Sequence, residues 1–208
     1  MNKSSIVIVA VLALIGGVAL SWYVNSQKPV VLESGLWFGE QARALPEFEL
    51  VDHRQQPLTR ADLNGQWSLM FFGYTHCPDI CPVALQTLAD MVRLIDDPDV
   101  SGALQVYFVS VDPDRDRPDV LAEYVHYFNP GFNAATAAPD QLTILTRSLG
   151  IAHMIRNRSE GSDSYDVDHS SAIVLINPRA EYAGLFSAPQ DAGAMARDLT
   201  RIIERNPL

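Results

Sequence analysis

Cys77 and Cys81 are the two cysteines of the chain, in the segment Phe71-Phe72-Gly73-Tyr74-Thr75-His76-Cys77-Pro78-Asp79-Ile80-Cys81-Pro82, which ends an apolar run. Two sulfurs at this spacing can close a disulfide or hold a thiophilic metal. As a staple the disulfide would be weak: closing so short a loop removes about 2 kcal/mol of unfolded-chain entropy, against about 4.7 kcal/mol for a loop of a hundred residues. The pair therefore reads as chemistry rather than scaffolding. Each cysteine precedes a proline, whose Cδ biases the preceding residue away from αR. The segment is thus expected to be a kinked loop, with Pro82 as the first helical residue and Cys81 at its N-cap. The partial positive charge at that helix start would lower the Cys81 thiol pKa, favouring metal capture and thiol exchange alike.

A metal site needs a third ligand, and histidine is the useful type. The five candidates are His53, His76, His126, His153 and His169. His169 stands out by position, in Tyr165-Asp166-Val167-Asp168-His169-Ser170-Ser171, just before an apolar segment whose start should reach the cysteine loop. His76 adjoins Cys77, but neighbouring side chains rarely point at one ion. His126 lies in a helix and reads as a surface or capping residue, and His53 and His153 have no companion ligands; all three read as structural histidines. Two thiolates and an imidazole make a soft, low-coordinate set suited to Cu(I), tolerant of Cu(II), and equally acceptable to zinc. Asp168 could orient the His169 ring or simply form a turn. The methionines, Met154 included, read as core.

Certain elements must position these groups. Phe48, Leu50 and Val51 suit an opening strand, and Ser68 to Phe72 is a short continuous apolar run of the kind found in buried central strands. After the cysteine loop, Leu85, Leu88, Ala89, Val92 and Ile95 recur at helical spacing. Leu104 to Ser110 reads as a second buried strand and Pro118 to Phe128 as a helix. An irregular stretch follows Pro130-Gly131, then a helix from Pro139 to Leu149. Ile151 to Arg156 reads as a strand, Asn157 to Asp166 as a polar hairpin tip, and Ser171 to Ile176 as a third apolar strand. Tyr182 to Phe186 would be the antiparallel neighbour of that strand, with a closing helix from Asp191 to Arg205. A βαβ half followed by an antiparallel half is a thioredoxin-like α/β layout, a central mixed sheet flanked by helices. Its first two central strands run parallel, so the loops after both lie at one carboxyl edge. The acidic loop Asp112 to Asp116 should therefore stand beside Cys77 and Cys81, most simply as a turn.

The 208 residues are 48% hydrophobic, which excludes disorder for most of the chain, and the net charge of −10 argues against nucleic acid as a partner. Ile6 to Leu20 is wholly apolar or glycine, and Ser21, Trp22, Tyr23 and Val24 extend it. Such a stretch just spans a hydrocarbon core of about 30 Å. Residues 1–24 are therefore expected to be a membrane anchor with a cytoplasmic N-terminus beside Lys3; a cleaved signal peptide is the competing reading. Residues 25–44 read as a stalk and 45–208 as the globular domain. Either reading of the leader places that domain where a dithiol can be oxidised.

Three separated motifs in order carry a resemblance. Phe72-Gly73-Tyr74-Thr75-His76-Cys77-Pro78-Asp79-Ile80-Cys81-Pro82, Ser110-Val111-Asp112-Pro113-Asp114-Arg115-Asp116 and Asp168-His169-Ser170-Ser171 are similar to those of the Sco/SenC proteins, membrane-anchored copper proteins of respiratory oxidase assembly. The resemblance covers nearly all of residues 45 to 205. It implies copper ligation by Cys77, Cys81 and His169, on a single-pass protein of the bacterial inner membrane with its domain in the periplasm. The implied partner is the copper-site subunit of cytochrome c oxidase, served by copper delivery or by reduction of its cysteines; other copper chaperones or thioredoxin-like reductants are further implied partners. Arg117 departs from the Thr or Ser of many members. Peroxiredoxins share the fold, but Tyr74 and Met70 stand where their pattern has Thr and Pro. Two other readings stay open: a membrane-tethered thiol-disulfide oxidoreductase cycling Cys77 and Cys81 as a redox-active pair, and a redox or copper sensor.

Overall fold

The structure, a computed structural model, describes residues 11–18, 20–21, 32–156 and 165–206. It divides into two compact units, Met1–Val31 and Leu32–Leu208. In the first, residues 11–18, 20 and 21 are helical. Among the described residues, no helix is long and apolar enough to cross a membrane. Much of the anchor expected over residues 1–24, including Lys3, Trp22 and Tyr23, lies outside the described residues.

The second unit is built on a mixed sheet. Its strands, in chain order, are β1 (Gly35–Trp37), β2 (Arg43–Ala44), β3 (Glu49–Asp52), β4 (Pro57–Thr59), β5 (Trp67–Gly73), β6 (Leu104–Ser110), β7 (Asn133–Thr136), β10 (Ile173–Ile176) and β11 (Glu181–Phe186), while β8 (His153–Arg156) and β9 (Asp166–His169) form a separate two-stranded ribbon. The spatial order is β1-β11-β10-β5-β6-β7-β3-β4, with β2 also on β11. β5, β6 and β7 are parallel, and β10 runs antiparallel to β5. The helices are α1 (Ile80–Arg93), α2 (Pro98–Gly102), α3 (Pro118–Phe128), α4 (Pro139–Leu149) and α5 (Ala192–Arg205).

Period-two alternation on β5 decides the layering. Met70, Phe72 and the following Tyr74 share a core with Leu142, Leu145 and Leu149 of α4. The intervening residues face the other way, where α1 packs against α3 and α5 and where a Cβ on Gly73 would meet Cys81. All seven β5 residues are buried, as the continuous apolar run requires. Proline at the first turn starts α3 and α4 at their expected residues, since its missing N–H has no helical partner there anyway. Gly150, at φ 69°, closes α4 in the left-handed conformation.

Three sequence expectations are corrected and one short helix is added. Residues 35–44, read as stalk, supply β1 and β2, both paired with β11. A buried carboxylate explains the docking: Asp198 of α5 accepts from the backbone N–H groups of Glu33, Ser34 and Gly35 and from Ser34 Oγ. The irregular stretch before α4 contains β7, whose Asn-Ala-Ala-Thr carries little strand propensity but is held by ladders to β6 and β3 on either side. α2, unread in the sequence, is a short turn capped by Asp97, which accepts from the N–H groups of Asp99 and Val100. Finally, α1 begins at Ile80 with Asp79 as N-cap, so Cys81 is inside the first turn rather than at the cap. Pro82 is tolerated there because the carbonyl its ring would strike, four residues back, belongs to Pro78 outside the helix. The polar tip read over Asn157–Asp166 falls, from 157 to 164, outside the described residues.

The β1–β11 contact is tight enough to test. A Cβ on Gly184 would lie 2.4 Å from the Leu36 carbonyl oxygen, a backbone atom that cannot step aside. Gly184→Ala is expected to cost about 1–3 kcal/mol, the usual range for overpacking. Urea unfolding followed by tryptophan emission reads this directly, because Trp37 of β1 lies 5.8 Å from Trp67; an unchanged midpoint would show that β1 is not held at this distance.

Candidate metal centre

Three elements converge at the carboxyl end of β5. Cys77 sits in the loop after the strand, its N–H donating to the Tyr74 carbonyl at 3.2 Å, and is half-buried. Cys81 projects from the first turn of α1 and is fully buried. His169 ends β9 and places Nε2 3.3 Å from Cys81 Sγ. One ligand atom from each of the three residues lies within 4.8 Å of the others, and among the described residues no further group of this kind occurs.

The imidazole is held in one orientation. Its Nδ1 lies 3.1 Å from the Ser170 carbonyl. A carbonyl only accepts, so Nδ1 carries the proton and Nε2 presents its lone pair to the sulfur. Phe71 and Tyr74 stand edge-on to the ring, with centroids at 6.0 and 5.8 Å. Asp168, one of two roles for which was orienting this ring, instead pairs with Arg156 across the β8–β9 ribbon.

The acidic loop after β6 does reach the cysteine loop, and it does more than turn. Asp116 is fully buried and accepts from Thr75 N–H at 2.9 Å, Thr75 Oγ1 at 2.6 Å and Ser110 Oγ at 2.6 Å. Asp112, equally buried, accepts from the Tyr165 hydroxyl at 2.6 Å and from Arg115. Arg115 in turn donates to the Tyr165 carbonyl at 2.9 Å and stacks 3.6 Å over its ring. One carboxylate thus braces the loop of Cys77, and the other braces the strand that carries His169. Thr75, Asp112, Asp116, Arg115 and Tyr165 are the residues that sequence reasoning missed. The only signal for them was the acidic motif at the strand's carboxyl edge.

The other histidines stay out of the cluster. His76 is exposed, with Nδ1 3.1 Å from Thr75 Oγ1. His53 accepts the Ala134 N–H at Nδ1 and meets the ring of His126 edge-on at 5.1 Å. His153 lies opposite His169 in the ribbon. The thiol expectation is reversed for Cys81: burial pushes its pKa well above the ordinary thiol value, with the neighbouring Cys77 and Asp116 adding to the rise and only the Tyr74 N–H opposing it. Desolvation outweighs the helix terminus because the sulfur lies inside the protein rather than at its surface.

Fold and site define a thioredoxin-like protein with a two-thiol, one-imidazole centre, and comparison with known proteins gives the same frame a family. The SCO1/SenC family model matches residues 39–204, and the chain belongs to this family. It is 37% identical over 158 residues to a mitochondrial SCO2 homologue of Mus musculus, covering 76% of this chain and 61% of that protein. An SCO2-like protein of Rickettsia felis is 29% identical over 198 residues, covering 92% of this chain and 95% of its own. Among solved structures, the Arabidopsis thaliana ScoI with copper bound superposes with a TM-score of 0.69 at 30% identity, over 76% of this chain and 98% of that one. Yeast Sco1 gives a TM-score of 0.70 at 28% identity, over 77% and 98%. The chain thus spans about six-tenths of the mouse relative's length.

Gly73 sets the space for the buried sulfur: a Cβ there would lie 2.4 Å from Cys81 Sγ and 3.0 Å from the Phe108 ring. Gly73→Ala is expected to push Cys81 away from His169 and to lower stability by about 1–3 kcal/mol. Thermal unfolding measures the second effect, and the reaction rate of Cys81 with a thiol reagent in Cys77→Ser protein measures the first, by rising as the sulfur is displaced outward; unchanged values of both would refute the close fit.

Proposed function

We propose that the protein is a copper metallochaperone in which Cys77 and Cys81 supply thiolates and His169 an imidazole. The observation that carries this reading is the 3.3 Å approach of His169 Nε2 to Cys81 Sγ, made by a ring whose other nitrogen is committed to a backbone carbonyl. Thiol exchange needs only the sulfurs; an imidazole presented by its lone pair is what a metal adds to the requirement. The donor set fits copper by softness and charge, since two thiolates neutralise Cu(II) and a three-ligand soft site suits Cu(I). Copper is cargo here. It would leave by stepwise ligand exchange with an incoming thiolate, and the half-buried Cys77 is the ligand such a thiolate reaches first.

The recipient in this reading is the binuclear copper site of a cytochrome c oxidase subunit, which the protein metallates or whose cysteines it reduces. The family and the copper-bound Arabidopsis relative support it. The apolar run of residues 6–20 supports an anchor in the bacterial inner membrane, with the domain on the periplasmic side. A second reading, thiol-disulfide oxidoreductase or redox sensor, draws on the closeness of the same two free thiols.

Two experiments test the copper reading. His169→Ala is expected to weaken copper binding by about a hundredfold or more, because loss of a mere outer contact to a metal site already costs about 10–100-fold; an unchanged Cu(II) affinity and spectrum would sink the assignment. Oxidation of Cys77 and Cys81 to a disulfide is expected to abolish binding, measured as copper per chain against titrated free thiols. A fully oxidised sample that still takes up one copper tightly would refute the shared-sulfur site.

A further inference from the structure

His153 faces His169 directly across the β8–β9 ribbon. The Ser170 N–H donates to the Ala152 carbonyl at 3.0 Å, so Ala152 and Ser170 occupy a hydrogen-bonded position of the ladder. The next pair along, His153 with His169, is then a non-hydrogen-bonded one. Such pairs bring Cα atoms to about 4.5 Å and set both side chains on one face of the ribbon. On β9 that face is the inward one, with Tyr165 and Val167 buried and His169 pointing to Cys81, while on β8 Ile155 of the same face is exposed and His153 is half-buried. Met154 and Asp168 fall on the opposite face by the same alternation. The side chain directly opposite His169 is therefore a second imidazole.

This second imidazole has no structural employment. His153 is half-buried and makes no hydrogen bond, ion pair or ring contact among the described residues. It lines, with Met154, Asp168 and His169, a shallow cavity of about 300 Å³ at the ribbon's end. Its nitrogens lie outside the cluster formed by Cys77, Cys81 and His169, so ligation by it requires a rotation of its ring. The sequence offered no companion for His153, because the pairing with His169 is created by ladder register across a 16-residue separation and by nothing local.

The preference of the metal gives this histidine a role. Two thiolates and one imidazole complete a low-coordinate Cu(I) site, whereas Cu(II) favours a four-ligand tetragonal set. We propose that His153 is a fourth, oxidation-state-dependent copper ligand: Cu(II) is held by Cys77, Cys81, His169 and His153, and Cu(I) by the first three alone. The proposal rests on the copper reading above and adds to it a coordination change between the two states of the cargo.

The test uses the full chain with His153→Ala and His153→Gln, the second keeping bulk and polarity on the strand, loaded separately with Cu(II) and Cu(I). Nitrogen hyperfine couplings of the Cu(II) form, with and without ¹⁵N-labelled histidine, should show two imidazoles in the unsubstituted protein and one in both variants. Cu(II) affinity should fall by about tenfold or more, the lower end of what perturbing a metal site costs, while Cu(I) affinity, measured against a competing chelator, stays unchanged. A single imidazole in the unsubstituted protein, or variants with unaltered couplings and Cu(II) affinity, overturns the proposal and leaves the three-ligand reading standing. Loss of both Cu(I) and Cu(II) binding in both variants overturns the oxidation-state dependence. If His169→Ala leaves both affinities intact, the three-ligand reading fails and takes the proposal with it.

Discussion

Asp116 places a carboxylate in the protein interior, and the geometry of the cysteine loop follows from how that group is satisfied. Its near partners are two hydroxyls and one backbone amide, with the exposed His76 ring at 3.9 Å. A buried charge is costly unless its hydrogen bonds are complete, and each bond to a charged group returns about 1.5–3 kcal/mol. The three bonds are therefore obligatory once the side chain is buried. Two of them come from Thr75, so the backbone between β5 and Cys77 has one position that satisfies the carboxylate. Asp112 works the same way at a second seam, joining the end of β6 to Tyr165 and so to β9. The two residues occupy one loop, and that loop couples the strand bearing the imidazole to the loop bearing the outer thiol.

The parts of this arrangement that were legible in the sequence are those with local causes. Leu104–Ser110, Pro118–Phe128 and Pro139–Leu149 stand where apolar runs and N-terminal prolines put them. Cys77, Cys81 and His169 could be picked out because their residue types are rare and chemically distinctive. What escaped depends on partners far along the chain. β7 is a strand because β6 and β3 both offer it a ladder, and β1 joins the sheet because Asp198, more than 160 residues on, caps its entry. Asp112 and Asp116 look like turn residues by composition, and nothing local distinguishes a solvated aspartate from one buried against Thr75. The Cys81 thiol failed for a related reason: a helix terminus can be read from sequence, but the burial that overrides it cannot.

The two sulfurs are consequently unequal. Cys77 is half-buried in a loop, whereas Cys81 is fully buried beside Gly73 and the His169 ring. Burial holds Cys81 in its neutral thiol form when nothing else occupies the site. A bound cation reverses that balance by taking the proton's place, since metal coordination deprotonates a thiol outright. The inner sulfur thus gives up its proton when a metal binds but offers little to a reagent in solvent, while the outer sulfur is the accessible one. Such a division suits a site that must retain an ion and still release it to a thiolate arriving from one side.

Retention also depends on the height of the imidazole above the sheet edge, which is a matter of strand register. His169 precedes β10 by only Ser170, Ser171 and Ala172, and β10 is locked to β5 with Ile173 opposite Phe71. A slip of one residue would turn every β10 side chain to the other face and break the packing of both layers, since all four residues are buried. A slip of two would preserve the facing but move the strand by about 7 Å, at roughly 3.3–3.4 Å per residue. The present approach of Nε2 to Cys81 Sγ is 3.3 Å, so no alternative register keeps the three ligands together. The continuous apolar runs of β5 and β10 therefore do two jobs at once, because the register that buries Ile173, Val174, Leu175 and Ile176 is also the one that brings His169 to the cysteines.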